Sequence, residues 1–290
     1  MIRRRLLLGA RLFALIFACL IVGDAEAQRR LDARGGIESF LDTQWWLGLK
    51  FGTNVTQPFA NETYMVTSQI NAASEEEAAK QYDDFNLIGV QIGLDATYYA
   101  RGLSFGIQPM YKRIRYSYAN RFSWDSSIQP EAFITDYDVE QALDLVVVPI
   151  TLKYDIIKRG NLRPFVIAGV SYSFIMGANK QLDIRHTDVV LDSRVVGGEV
   201  SLNVPNEFQG FLSAFGGIGA SYDVGNIRLY LDFAYNYGIT SAVNKEEIFE
   251  ENAFFAVGEI NDDIFIRNIS GSFGVVFPLK FIDNTFQSSR

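Results

Sequence analysis

Residues 227–237 alternate without a fault. Ile227, Leu229, Leu231, Phe233, Tyr235 and Tyr237 are apolar, and Arg228, Tyr230, Asp232, Ala234 and Asn236 lie between them. A period of two is that of an extended strand with one apolar face. Residues 142–176 repeat the pattern as a hairpin around a short basic turn of Lys158, Arg159, Gly160 and Asn161. On its second arm Val166, Ala168, Val170, Tyr172 and Phe174 form the apolar face, opposite Gly169, Ser171 and Ser173. An apolar face backed by a small polar one and ending in aromatics suits a strand with lipid outside and a lumen inside.

The same signal predicts eight strands, over residues 45–54, 85–99, 103–118, 143–156, 163–174, 211–223, 227–237 and 266–277. In the third the alternation lapses over residues 112–115, which predicts a bulge or emergence from the membrane. In the fourth, Val147 and Pro149 interrupt the polar face, and the proline is expected at a bulge. The connections run long, short, long, short, long, short, long. That rhythm predicts an all-β fold, an eight-stranded antiparallel transmembrane β-barrel with short periplasmic turns, long extracellular loops and both termini periplasmic. Up-and-down threading sets Trp45, Tyr98, Tyr154, Tyr222 and Phe277 at one membrane level. It sets Tyr118, Phe174, Tyr235 and Tyr237 at the other, so two aromatic girdles are expected. The long loops are acidic (Glu75, Glu76, Glu77, Glu246, Glu247, Glu250, Glu251), and the short turns hold Arg101, Lys158 and Arg159.

The N-terminus fits export. Arg3, Arg4 and Arg5 precede an apolar run over residues 12–22 and an Ala25-Glu26-Ala27 cleavage site. Residues 1–27 are therefore read as a cleaved signal peptide, 28–44 as a periplasmic lead-in, 45–281 as the barrel and 282–290 as a polar tail. Arg11 and Asp24 interrupt the roughly 20 apolar residues that a retained helix would need. Leu20 follows Cys19 where a lipobox needs a small residue, so no lipid anchor is expected. Cleavage after Ala27 removes the single cysteine, and with it disulfides and thiolate chemistry. The net charge of −8 argues against nucleic acid as a partner.

In the hairpin, Pro149, Ile150, Leu152, Lys153 and Tyr154 are followed by Arg163, Pro164 and Gly169. In this the chain resembles the PorT-like outer-membrane barrel family of the Bacteroidetes group. The resemblance implies a barrel in the outer membrane of a Gram-negative bacterium. It implies a role in type IX secretion and gliding for some members, and no catalytic residues.

Candidate chemistry is sparse. His186, the only histidine, is read as a solvated residue of a long loop beside Arg185 and Asp188; a Ser/His/Asp hydrolase would need it in a preorganised constellation. Lys50, Asp95, Lys112, Lys153, Arg228 and Asp232 fall on the inward face. They could line a polar path, but an eight-stranded barrel is narrow enough for side chains to fill it, and mixed charges in a poorly hydrated lumen pair. A salt-bridged plug is the preferred reading. Glu250, Glu251, Asp262 and Asp263 lack the spacing of a calcium loop and are read as solvated loop acids, which could also bridge through divalent ions to lipopolysaccharide. Gly216-Gly217-Ile218-Gly219 lies within a strand and is read as close packing. No enzyme activity, cofactor or metal is expected. The expected partners are outer-membrane lipid, lipopolysaccharide and an envelope protein complex. The leading function is a non-enzymatic structural or interaction component of a cell-envelope assembly, secretion-related on the resemblance alone. The alternative is a small pore or conduit for ions or a hydrophobic ligand.

Overall fold

The computed structural model describes residues 44–64, 79–124, 133–157, 160–224, 227–246 and 259–279. The signal peptide, the lead-in before Gln44, the polar tail and the Lys158-Arg159 pair lie outside these residues. Eleven strands form one antiparallel sheet: β1 (Gln44–Glu62), β2 (Gln81–Tyr82), β3 (Ile88–Ala100), β4 (Leu103–Ile107), β5 (Met110–Trp124), β6 (Phe133–Asp155), β7 (Leu162–Asp188), β8 (Ser193–Asn203), β9 (Phe211–Val224), β10 (Ile227–Gly238) and β11 (Asp263–Pro278). The sheet closes because β1 pairs with β3 on one side and β11 on the other. Going round, the ring is β1, β3, β4 with β5, β6, β7, β9, β10 and β11, which makes eight staves and leaves no free edge at the level of the membrane.

Period-two alternation decides which way every side chain points. On β3, Val90, Ile92 and Leu94 face out and are at least half exposed, while Gln91, Asp95 and Thr97 face in and are buried. The neighbouring staves repeat this in register: Leu49 lies between Leu94 and Val275, and Leu231 between Ala220 and Phe273. A continuous apolar belt of this size would aggregate in water, and a closed ring has no unpaired backbone to offer lipid. The belt's lower rim carries Trp45, Tyr98, Tyr154, Tyr222 and Phe277, all facing outward. Trp45 and Tyr98 are register partners whose ring centroids are 5.3 Å apart. The upper rim carries Phe174, Tyr235 and Tyr237.

At the short-turn end, Arg101 (φ 51°) and Gly102 (φ 92°) join β3 to β4. Two successive left-handed residues are what a two-residue hairpin requires to match the strand twist, and glycine takes the second at no steric cost.

Four features differ from the sequence expectations. First, of the two readings of the lapse over residues 112–115, a bulge or emergence from the membrane, the bulge is not found. Inward and outward faces keep their parity along β5, but the inward face turns apolar, with Ile114, Tyr116, Tyr118 and Phe122 all buried. Second, Pro149 lies at no bulge, since the β4–β6 and β5–β6 ladders share one register across it. Gln108 and Pro109 merely interrupt the third stave opposite Val148 and Pro149, where neither proline can donate. The bulge lies higher, at Met176, between the pairs Leu145–Ile175 and Asp144–Gly177. Third, the region after residue 174 is not a loop. β7 runs on to Asp188 and β8 returns beside it, so this 27-residue strand far exceeds the roughly 9–11 residues that span a bilayer. Fourth, Tyr118 is absent from the upper girdle. It shares the inward parity of Ser104, Gln108 and Lys112 and is 4% exposed.

Candidate functional site

The polar interior is built in tiers, each from residues that alternation turns inward on different staves. At the short-turn end, Arg228 donates to Asp223 at 2.7 Å and Arg163 pairs with Asp223 and, at 3.9 Å, with Asp155. The Arg228 guanidinium lies 4.1 Å from the Trp46 ring centre and 5.2 Å from that of Tyr99, so aromatic faces cover what the carboxylates leave open.

The middle tier centres on two carboxylates. Asp232 takes the Lys50 ammonium at 2.9 Å. Asp95 accepts from the Gln108 amide at 2.6 Å and the Tyr230 hydroxyl at 2.6 Å, with Thr97 also donating and Lys153 at 3.4 Å. Lys50 also reaches Gln108 at 3.3 Å, which joins the two carboxylates into one network. Tyr230 fits because Gly274 faces it across the strand pair; a Cβ there would lie 2.1 Å from the ring. Above, Lys112 donates to the Asn268 side-chain oxygen at 2.5 Å, and the Asn268 amide donates to Asn54 and Thr56.

The uppermost tier lies beyond the apolar belt, where the outward neighbours are Ser117, Glu140 and Gln181. Here the segment before β11 turns into the mouth. Glu259 accepts from Tyr118 at 2.7 Å and Lys180 at 3.1 Å, with Lys80 at 3.6 Å. Asp262 accepts from Tyr82 at 2.8 Å, the Tyr64 backbone N–H at 2.9 Å and Lys80 at 3.1 Å. Asn261 bridges Lys180 to Glu207. Burial pushes the Glu259 carboxyl up, but the Lys180 and Lys80 ammoniums and the Tyr118 hydroxyl outweigh it and hold it below its ordinary value. Around this cluster pack Val204, Phe208, Ala242, Val243 and Ile260, an apolar collar at the mouth.

All six residues expected in the lumen lie there, none more than 8% exposed. Five meet an opposite charge; Lys112 does not. The sequence reading missed Arg163, Asp155 and Asp223 in the lowest tier, although all three have inward parity. It also missed the whole upper cluster. Asp262 and Asp263 are not solvated loop acids: each is 1% exposed, and Asp263 takes Lys245 at 2.9 Å. Glu250 and Glu251 lie outside the described residues. Among the described residues no group of acids, histidines and cysteines has the geometry to hold a metal.

His186 is not in a loop. It lies on β7, with Nδ1 2.9 Å from the Thr135 hydroxyl and its ring stacked on Phe133. Asp188 instead accepts the Leu191 backbone N–H at 3.0 Å. The glycine run does serve packing: Gly219 makes room for the Phe165 ring, which a Cβ would meet at 2.4 Å.

The spaces between tiers are small, about 30, 40 and 30 Å³ from bottom to top. Each is large enough for a water or a few.

Comparison with known proteins places the fold. Residues 27–244 match the family described as outer membrane protein beta-barrel domain. No curated protein is similar to the chain. Among solved structures, Neisserial surface protein A is 14% identical, with 79% of this chain and 96% of that one covered and a TM-score of 0.32. The outer membrane protein OprG from Pseudomonas aeruginosa is 13% identical, with 80% and 95% covered and a TM-score of 0.36. The outer membrane protease OmpT from Escherichia coli is 10% identical, with 82% and 97% covered and a TM-score of 0.32. The family match spans three quarters of the sequence. The chain belongs to the outer-membrane β-barrel domain family, whose members reside in the outer membrane of Gram-negative bacteria.

Proposed function

We propose that this barrel is a non-enzymatic structural or interaction component of a cell-envelope assembly, and that its lumen is sealed by its own side chains. The observation that carries this reading is the tiered filling: ion pairs and aromatic rings occupy successive tiers of the lumen, and the spaces between these tiers, among the described residues, are about 30–40 Å³. A barrel that neither conducts nor presents a reactive constellation acts through its outer and end surfaces. The long-loop end supplies such a surface, because β5, β6, β7 and β8 rise as a wall beyond the belt. Its outer face carries the pairs Arg113–Asp144, Arg115–Glu140, Arg121–Asp136 and Arg185–Asp138. We place this wall outside the cell and both termini in the periplasm, on the basic short turns and the strand rhythm. Lipopolysaccharide is the lipid the wall would meet. A secretion apparatus is the assembly that the PorT-like resemblance suggests.

The test is gentle extraction of a C-terminally tagged protein from native outer membrane. A stoichiometric assembly of several proteins is the expected result. A lone particle of barrel mass would contradict it.

A further inference from the structure

Seven lysines and arginines are buried among the described residues: Lys50, Lys80, Lys112, Lys153, Arg163, Lys180 and Arg228. Six of them reach a carboxylate within 4 Å. Lys112 alone has only a neutral partner, the Asn268 side-chain oxygen. The charge that bears on it, Lys50, is of like sign. An ammonium buried without a counter-charge costs several kcal/mol, so Lys112 keeps its charge there only if something compensates it.

The upper cavity, of about 30 Å³, shows what could. Lys112 lines it together with the hydroxyl-bearing Ser171, Ser173 and Ser213, and no carboxylate does. Ser171 and Ser213 are register partners on β7 and β9, so their hydroxyls enter the space from adjacent staves. All three serines are at most 6% exposed, and none has a side-chain partner among the described residues. A hydroxyl can turn to donate, so the cavity offers one ammonium and three free O–H donors. The rest of its wall is formed by Asn236, Asn268 and apolar residues that include Ile114, Leu145 and Phe211. The cavity below it does touch a carboxylate, Asp232, but that charge is matched by Lys50.

We propose that the upper cavity binds a single small monovalent anion of the halide class, held by the Lys112 ammonium and the hydroxyls of Ser171, Ser173 and Ser213. A chloride ion is larger than a water molecule, and a space of about 30 Å³ admits one. It requires donors, which the ammonium and the three hydroxyls supply, while the Asn268 oxygen on the same wall is already taken by Lys112. The site does not depend on the role proposed above, since it concerns the interior of the folded barrel alone.

Two measurements test it on the whole detergent-solubilised protein. Crystals grown in sodium bromide should show an anomalous peak in this cavity within hydrogen-bond distance of the Lys112 ammonium. In parallel, exchanging gluconate for chloride at fixed ionic strength should raise the thermal midpoint of unfolding in step with the logarithm of chloride concentration. Lys112→Met should abolish that dependence. A cavity without a bromide peak, or an equal chloride dependence in wild type and Lys112→Met, would overturn the proposal. The bromide experiment needs no variant, so a misfolded Lys112→Met would not shelter it.

Discussion

Lys50 and Asp232 are 182 residues apart in the chain and 2.9 Å apart across the lumen. They come from the first and seventh staves, so only a ring closed through β11 brings them together. Both are nearly fully buried, and that determines how substitutions behave. Removing one partner leaves an uncompensated charge and should cost about 3–5 kcal/mol. Lys50→Met and Asp232→Leu together should recover most of the loss. A double-mutant cycle on detergent-solubilised protein, read by denaturant midpoint, checks this. Additive losses would mean that the two residues do not meet.

The lipid-facing side makes a separate prediction. Leu231 points outward between Phe233 and Leu229 on β10, whereas Ala234 points inward. Leu231→Arg should cost about 2–4 kcal/mol in a refolding assay in lipid vesicles. Ala234→Ser should be nearly silent. Equal tolerance at the two sites would invert the faces of β10.

Tyr118 separates the mouth from the girdle. Its hydroxyl donates to the buried Glu259 carboxylate at 2.7 Å, so Tyr118→Phe removes a hydrogen bond to a charged group. The expected cost is about 1.5–3 kcal/mol. Tyr235→Phe, on the outward face, should change thermal stability far less. Comparable losses would return Tyr118 to the outer surface.

These residues also show where sequence reasoning reached and where it stopped. Strand number, closure order and the outward faces were legible because each depends on local alternation, which lipid outside and a polar lumen inside impose on every stave. The parity of Tyr118 was legible too. It shares that of Ser104 and Lys112, and only the habit of placing aromatics in a girdle assigned it outward. Glu259 and Asp262 were not legible. In sequence they are acids in a polar stretch, and nothing local distinguishes a solvated carboxylate from one buried by Lys80 and Lys180, which lie 182 and 79 residues away respectively from Asp262 and Glu259. The β7–β8 extension was hidden for a related reason. Beyond the membrane its strands face water on one side and a mixed interior on the other, so the clean apolar face that marks the belt disappears.

The mouth should respond to acid in one direction. Glu259 is held below its ordinary value of 4.5, so the folded state binds fewer protons than the unfolded chain as pH falls through the carboxylate range. Its stabilisation is therefore complete above that ordinary value and is lost as pH falls through the depressed folded value. Hydrogen exchange at residues 259–262 should be insensitive to pH from about 8 to 5, after correction for intrinsic rates, and should accelerate below about pH 4. Glu259→Gln should flatten that response. Opening between pH 8 and 5 would assign the mouth's closure to another group.

Planar-bilayer recording of the purified, refolded barrel tests the sealed lumen most directly. Tiers of largely paired charge with spaces of about 30–40 Å³ between them predict no steady ion conductance at neutral pH and ordinary salt. A steady conductance in the wild type that Asp232→Ala or Lys50→Ala abolished would contradict the account, because it would make the middle tier the lining of a pore rather than its plug.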